Sequence, residues 1–178
     1  MHPFYFTYIA VFLLSLFIGV PHSVAADEDK MKAFRSSGLP LPRFVSLEEE
    51  KTHVRAGPGE QYPIEWVLTR QGLPVEVVLE FENWRKIRDM DGQEGWVFHS
   101  LLSGKRTGIV TGADKIPVYQ QPYEAIGPES ELSMMLEPRV IVSIKECHEA
   151  WCAIESGGFS GWVQRKFIWG VYANENFD

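Results

Sequence analysis

The sequence predicts an all-β fold arranged as two tandem domains, and three observations support this prediction. Apolar and polar residues alternate over short stretches, as in residues 75–79 and again in residues 140–144. Gly, Pro and Asp-Gly interrupt these stretches, a pattern typical of strands joined by turns. The frame Gly-Trp-Val occurs twice, once within Gly92 to Leu102 and once within Gly157 to Ile168. A frame that recurs in this way indicates two copies of one small domain.

The similarity between the copies extends outward from the two Gly-Trp-Val frames. Residues 53–63 match residues 117–127 loosely, and residues 72–87 match residues 137–154. The spacing of equivalent residues is nearly constant: 64 for Val54 and Val118, 67 for Trp84 and Trp151, and 66 for Trp96 and Trp162. We therefore predict a first domain at residues 43–104, a second and divergent domain at 105–172, and an acidic C-terminal tail at 173–178.

The N-terminal segment predicts export. Residues 1–26 contain no Asp, Glu, Lys or Arg and end in Val24-Ala25-Ala26, which predicts a signal peptide cleaved after Ala26 and a periplasmic or secreted protein with no membrane span after cleavage. The alternative is an uncleaved anchor, because the apolar run from Phe4 to Val20 is nearly long enough to cross a bilayer. Residues 27–42 are charged and then rich in Ser, Gly and Pro, which predicts a flexible linker.

The charge balance argues against a nucleic-acid partner. The chain carries a net charge of -7. Lys plus Arg number 7 against 11 acidic residues in 43–104, and 7 against 8 in 105–170. Neither half offers the basic face that binding to nucleic acid requires.

The order of motifs resembles the bacterial SH3-like domain, a small five-stranded barrel. The first copy has the loop opening of residues 53–63, then Trp-x-x-Ile at residues 84–87, then Gly-Trp-Val and a short helical turn. The resemblance covers Arg43 to Tyr172. It implies a non-catalytic binding module without a cofactor, directed at a peptidoglycan peptide or glycan or at an envelope protein.

Four positions depart from the proline-binding members of the wider SH3 family. Those members place a Pro and a Tyr on the ligand groove. This sequence has Phe98 and Leu101 there in the first copy, and Gln164 and Phe167 in the second. Because the groove would lack the ridges that grip a polyproline helix, we do not expect recognition of proline-rich peptides.

Strand parity selects Trp84 and Trp151 as candidate binding residues. If Ile87 faces the core, Trp84 lies on the opposite face, and the same argument places Trp151 opposite Ile154. In the family resemblance this Trp lines the ligand groove. The alternative is that a Trp at a hairpin end only caps the barrel. Core packing is the expected role of the two Trp residues in the Gly-Trp-Val frames, Trp96 and Trp162.

Tyr62 is the third candidate binding residue. It lies in the polar loop GPGEQYPIEW, and loops on a rigid barrel often carry specificity. Gly57-Pro58-Gly59 is expected to shape this loop through positive φ angles. Ligand contact and simple loop packing are both open for Tyr62.

Cys147 and Cys152 are predicted to form a disulfide in the second domain. The repeat spacing places them on Glu80 and Arg85, so a covalent pair in one copy would correspond to an ion pair in the other. The closed loop is short, and we expect a stabilisation of about 2 kcal/mol. The alternatives are a metal site with His148, which lacks a fourth local ligand, a redox-active pair, which lacks Cys-x-x-Cys spacing, and free thiols.

The sequence shows little sign of catalysis. Outside the signal peptide its histidines are His53, His99 and His148, and none belongs to a catalytic motif. A glycosidase activity based on a pair of carboxylates is the alternative, because acidic residues are plentiful. The predicted function is therefore binding of a cell-wall fragment or an envelope protein through Trp84, Tyr62 and Trp151. The alternative is an assembly subunit whose exposed aromatic residues form a protein interface.

Overall fold

The computed structural model describes residues 37–122 and 131–177, and within these ranges it contains two antiparallel sheets of seven strands each. The predicted all-β fold with two tandem units is confirmed. The predicted signal peptide, residues 27–36 of the predicted linker and residues 123–130 lie outside the described residues.

The first sheet forms domain 1. Its strands follow the order β3-β2-β6-β5-β4-β1-β7, and a short 3₁₀ helix at His99–Leu101 precedes the last of them. The strands are β1 (Arg43–Leu47), β2 (Thr52–Arg55), β3 (Ile64–Leu68), β4 (Pro74–Phe81), β5 (Trp84–Arg88), β6 (Glu94–Phe98) and β7 (Leu102–Ser103).

The second sheet forms domain 2 and repeats this topology, with the order β10-β9-β13-β12-β11-β8-β14. A 3₁₀ helix at Arg165–Phe167 again precedes the last strand. The strands are β8 (Thr107–Val110), β9 (Ile116–Tyr119), β10 (Leu132–Leu136), β11 (Ile141–His148), β12 (Trp151–Ser156), β13 (Phe159–Gln164) and β14 (Ile168–Trp169).

Each sheet has two strands more than the expected five-stranded barrel. The additional pairing arises around the polar loop, where β2 and β3 form a hairpin with a shift in register between Val54 and Arg55. The equivalent hairpin in domain 2 pairs β10 with β9. The polar loop is therefore carried on two paired strands rather than on one, which fixes its position on the barrel.

Period-two alternation builds a separate core in each domain. In domain 1 the inward residues of β2, β4, β5 and β6 are fully buried: Val54, Val75, Val77, Ile87 and Val97. In domain 2 the corresponding core includes Val118, Val142, Ile154 and Val163 together with both cysteines. Each domain thus has its own apolar interior, as expected for a repeated unit.

The two domains also contact each other. The ring of Phe44 on β1 lies 5.1 Å from the ring of Trp169 and 4.8 Å from that of Tyr172, measured between centroids. The hydroxyl of Tyr172 donates a hydrogen bond of 2.9 Å to the carboxylate of Glu76 on β4. These contacts join the inner strands of one barrel to the end of the other.

The segments that flank the two sheets pack against them. In the predicted linker, Ser37 donates from its backbone N–H and its hydroxyl to Glu80, at 2.9 and 2.6 Å. In the predicted tail, Glu175 forms an ion pair of 2.6 Å with Arg106. Phe177 pairs through its backbone with Cys147 and lies 4.4 Å from the guanidinium of Arg106. The described parts of both segments therefore belong to the folded body.

Candidate functional site

The outer surface of β5 and β6 in domain 1 carries an aromatic face, which we define as Trp84, Trp96, Phe98 and His99. Trp84 and Phe98 are cross-strand partners, and their rings meet edge to face with centroids 5.4 Å apart. The ring of His99 lies 4.9 Å beyond that of Phe98. Trp84 is half-buried, and it lies on the opposite side of β5 from the core residue Ile87, as parity predicted.

Trp96 lies on the same side of the sheet as these rings, and it is buried, as the expectation of core packing predicts. Its side chain is 9% exposed, but it lies opposite the core residue Val97 and outside the apolar core cluster of domain 1. Gly95 takes the inward position, where a Cβ atom would lie 2.4 Å from Val54. In the Gly-Trp-Val frame, Gly and Val therefore face the core and Trp faces outward.

The second frame has the same geometry. Trp162 is half-buried and alternates with the core residue Val163. Gly161 faces inward, where a Cβ atom would lie 2.7 Å from the side chain of Val118. The parity argument that placed Trp84 correctly, applied to Val97 and Val163, would have placed both tryptophans on the outer face.

Tyr62 lies in the loop that joins β2 to β3 and is 40% exposed. Arg55 holds its loop, because the guanidinium donates to the carbonyl oxygens of Glu60 at 3.1 Å and Tyr62 at 2.8 Å. Arg55 is also the register partner of Trp96. Trp96 thus lies between the anchored Tyr62 loop and the pair formed by Trp84 and Phe98.

The glycines of this loop act by their small size. Neither Gly57 nor Gly59 adopts a positive φ angle, so the expected left-handed backbone is wrong. A Cβ atom at Gly57 would lie 2.5 Å from the ring of Tyr62. Gly57 therefore makes room for the Tyr62 ring against the loop backbone.

Charged residues border the aromatic face on one side. Glu94 pairs with Lys86 at 2.7 Å and with Arg88 at 2.6 Å, and Arg88 also reaches Glu76 at 3.1 Å. Hydrogen bonds from Lys86 and Arg88 lower the pKa of Glu94 from its ordinary value. These cations are paired with carboxylates. The aromatic rings and the Tyr62 loop are therefore the groups on this surface that are available to contact a ligand.

Trp151 has a different environment from its counterpart Trp84. It lies opposite Cys152 and Ile154, as parity predicted, but only 4% of it is exposed. Its ring meets that of Tyr119 edge to face at 5.9 Å, and Tyr119 occupies the position that Arg55 has in domain 1. Trp151 is therefore buried where the sequence predicted an exposed ring, and a large ring at the Arg55 position accounts for this difference in exposure.

The four positions that depart from proline-binding domains are all half-buried, but they have different neighbours. Phe98 is part of the aromatic face, whereas Leu101 packs partly buried against the core of domain 1. In domain 2, Gln164 borders a surface groove and Phe167 packs against the core. In each domain, therefore, one of the two positions packs against the core.

The predicted disulfide is confirmed. Cys147 and Cys152 are cross-strand partners bonded through sulfur, with Cα atoms 4.1 Å apart. Both are fully buried in the core of domain 2. In domain 1, Glu80 and Arg85 are cross-strand partners and form an ion pair of 3.1 Å. The correspondence inferred from the repeat spacing is therefore present in the structure.

The three histidines lie on different elements. His53 is on β2, His99 begins a 3₁₀ helix, and His148 ends β11, where it lies 3.2 Å from Glu146. Across residues 37–122 and 131–177, no three His, Cys, Asp or Glu side chains are grouped to hold a metal ion. In the same ranges, no helix is long and apolar enough to cross a membrane.

Two seven-stranded sheets with the same strand order define a protein of tandem SH3-like barrels. The family model of the bacterial SH3 domain matches residues 48–104 and 113–170. The chain belongs to the bacterial SH3 domain family, which confirms the resemblance drawn from the sequence.

Comparison with solved structures gives distant matches. NlpC2 from Trichomonas vaginalis is 12% identical, with a TM-score of 0.31 over 74% of this chain and 49% of that chain. NlpC1 from the same organism is 11% identical, with a TM-score of 0.33 over 76% of this chain and 48% of that chain. This chain spans about half the length of those structures. No curated protein matches the sequence.

Proposed function

We propose that the protein is a non-catalytic binding module of the cell envelope and that the aromatic face of domain 1 recognises a peptidoglycan peptide or glycan. The observation that carries this proposal is the edge-to-face pair of Trp84 and Phe98, 5.4 Å apart on adjacent strands. Aromatic rings fixed on a rigid sheet offer apolar area for ligand contact at a low cost in conformational entropy.

The Tyr62 loop supports the same proposal. Its exposed ring is held by contact with Gly57, and its backbone is held by Arg55. A ligand that spans the face and this loop would contact Trp84, Phe98 and Tyr62. Clustered, preorganised aromatic side chains are the groups that most often dominate binding energy.

Export follows from the same proposal. A wall fragment is accessible only outside the cytoplasm, and residues 1–26 have the composition of a signal peptide. The buried disulfide agrees with an oxidising compartment. We therefore propose a periplasmic or secreted location.

Co-sedimentation tests the proposed function. Residues 27–178 would be incubated with purified peptidoglycan, alongside Trp84→Ala and Tyr62→Ala variants. Phe159→Ala is the matched control, because Phe159 is an aromatic residue of domain 2 that is 63% exposed. We expect the wild type and Phe159→Ala to pellet with the wall material, and the other two variants to lose most binding. Equal pelleting of all four proteins, or of none, would contradict the proposal.

A second candidate is self-assembly through edge strands, and one observation favours it. Strands β3 and β10 each end their sheet, and both expose apolar side chains at equivalent positions: Ile64 and Val67 in one, Leu132 and Met135 in the other. Exposed edges of this kind can pair with the same edge of a second copy. Light scattering would test it: a dimer that Val67→Lys converts to monomer supports assembly, and a wild-type monomer excludes it.

A further inference from the structure

A groove of about 800 Å³ lies at the end of the β11–β12 hairpin in domain 2. Its walls come from the hairpin turn, the 3₁₀ helix at Arg165–Phe167 and the C-terminal segment. The polar residues that line it are Glu149, Gln164, Arg165, Lys166, Asn174 and Asn176. None of these residues belongs to the aromatic face of domain 1.

Arg165 is the unusual member of this lining. It is only 6% exposed, and its guanidinium donates to the carbonyl oxygens of Tyr172 at 3.0 Å and Ala173 at 2.8 Å. A third bond of 3.2 Å goes to the side-chain oxygen of Asn176. All three acceptors are neutral, and Nε–H has no acceptor among the described residues.

Among the described residues, Arg165 lacks the bonded carboxylate that the buried arginine of domain 1 has. The buried guanidinium of Arg85 is paired with the carboxylate of Glu80 at 3.1 Å, whereas Arg165 forms no ion pair with any residue that the structure describes. Glu175 is close enough to interact with its charge, but that carboxylate is already bonded to Arg106 at 2.6 and 3.0 Å. A buried charge without a directly bonded counter-charge is costly, and a nearby anion reduces that cost.

The charge of the groove agrees with an anionic ligand. Lys166 is exposed beside Arg165, with its ammonium 4.9 Å from the ring centroid of Phe167. Glu149 is the carboxylate among the lining residues, so the lining carries a net charge of +1 in a chain of net charge -7. This local excess of positive charge matches a ligand with one negative charge.

The uncharged residues that line the groove favour a peptide as the ligand. The side-chain amides of Gln164 and Asn174 offer both donors and acceptors, which pair well with peptide groups. Ala150 and Val171 give the groove an apolar surface suited to small side chains. We propose that this groove is a second binding site, which takes the free carboxylate of a short peptide with small side chains.

The two cations have separate roles in this site. Lys166 provides an accessible ammonium that contacts the carboxylate directly. Arg165 provides positive charge from beneath the surface and holds the C-terminal segment through Tyr172 and Ala173. The site is independent of the aromatic face, so it can bind whether or not domain 1 recognises the wall.

An NMR titration tests the site directly. The ¹⁵N-labelled protein, residues 27–178, would be titrated with acetyl-Ala-Ala as the free acid, as its C-terminal amide, and with inorganic phosphate. We expect the free acid to produce saturable shifts at the Nε–H of Arg165 and the amide of Lys166. The peptide amide should produce none at the same concentration, and phosphate should produce much smaller shifts.

Variants distinguish binding in this groove from binding elsewhere on the protein. Lys166→Gln, at an exposed position, should raise the Kd for the free acid at least threefold, while Lys51→Gln, an exposed lysine of domain 1, should leave it unchanged. Wall binding is measured separately, by the co-sedimentation of Trp84→Ala, so failure of the wall-binding proposal would not be confused with failure of this one. Absence of saturable shifts with the free acid, equal shifts from the peptide amide, or equal shifts from phosphate would overturn the proposed peptide site.

Discussion

Glu80 and Arg85 form an ion pair of 3.1 Å across the β4–β5 hairpin of domain 1, at the two positions that Cys147 and Cys152 occupy in domain 2. Glu80 is 1% exposed and Arg85 is 8% exposed. The two repeats therefore link the same pair of buried cross-strand positions by different chemistry. The ion pair depends on pH, and the disulfide depends on redox conditions.

Removal of the disulfide should destabilise domain 2. The double variant Cys147→Ala, Cys152→Ala is expected to lower the free energy of unfolding by about 2 kcal/mol, because a short loop is no longer constrained in the unfolded chain. Urea denaturation followed by circular dichroism would measure the change. The wild type treated with a reductant should shift in the same direction, whereas the reductant should have no effect on the double variant.

Acid should weaken domain 1 through Glu80. Burial raises the pKa of Glu80, but hydrogen bonds from Ser37 and the guanidinium of Arg43 outweigh it, so the pKa lies below its ordinary value of 4.5. The unfolded chain then binds the proton more tightly than the folded one. The stabilisation is present above pH 4.5 and is lost as the pH falls below that value towards the folded pKa.

The Glu80→Gln variant checks this assignment. It removes the carboxylate that pairs with Arg43 and Arg85, so two cations remain at a buried position, and we expect a loss of about 3 to 5 kcal/mol at pH 7. The difference in unfolding free energy between wild type and variant should shrink as the pH is lowered from 5 to 3. A difference that stays constant over this range would show that Glu80 is not the responsible group.

The domain interface should loosen at high pH through Tyr172. Burial and the hydrogen bond to Glu76 raise the pKa of the Tyr172 hydroxyl above its ordinary value of 10.0. The folded state holds this proton more tightly, so the stabilisation is complete below pH 10 and is lost as the pH rises above it. Tyr172→Phe should cost about 2 kcal/mol at pH 7 by removing a bond to a charged acceptor.

Comparison of two variants isolates this effect. Tyr172→Phe should be less sensitive than the wild type to a rise in pH from 9 to 11, measured by urea denaturation. Tyr119→Phe is the matched control, because Tyr119 also packs on an aromatic ring, that of Trp151, but lies away from Glu76. If both variants lose the same pH dependence, the interface bond is not its source.

The repeat made much of the fold predictable from the sequence. Period-two patterns located the strands, and the spacing of 67 residues placed both cysteines on Glu80 and Arg85. The same reasoning gave Trp84 its outward direction. These features depend on local periodicity and on the internal repeat, which one sequence contains in full.

The features that were missed depend on contacts between distant segments. Trp151 is buried because Tyr119 lies against it, and Arg165 is buried because the C-terminal segment folds over it. The packing of Phe44 against Trp169 and Tyr172 likewise joins residues far apart in the chain. No local pattern encodes such neighbours, so the exposure of each candidate residue required the structure.

The correspondence of the two hairpins predicts that a disulfide can be transferred to domain 1. Both turns have the same backbone geometry, since Glu82 and Glu149 are equivalent residues with φ of 48°. The double variant Glu80→Cys, Arg85→Cys should therefore form a disulfide on oxidation, seen as a loss of two hydrogen masses in the intact protein.

Stability gives a second test of this transfer. Oxidation of the Glu80→Cys, Arg85→Cys variant should raise the free energy of unfolding by about 2 kcal/mol over its reduced form. The native Cys147–Cys152 bond must not contribute to the difference, so the comparison is made in a background where both native cysteines are alanine. A variant with cysteines at Val77 and Arg85, which are not cross-strand partners, is the matched control and should stay reduced. If the variant at positions 80 and 85 also stays reduced while folded, the two hairpins do not share the geometry that the repeat implies.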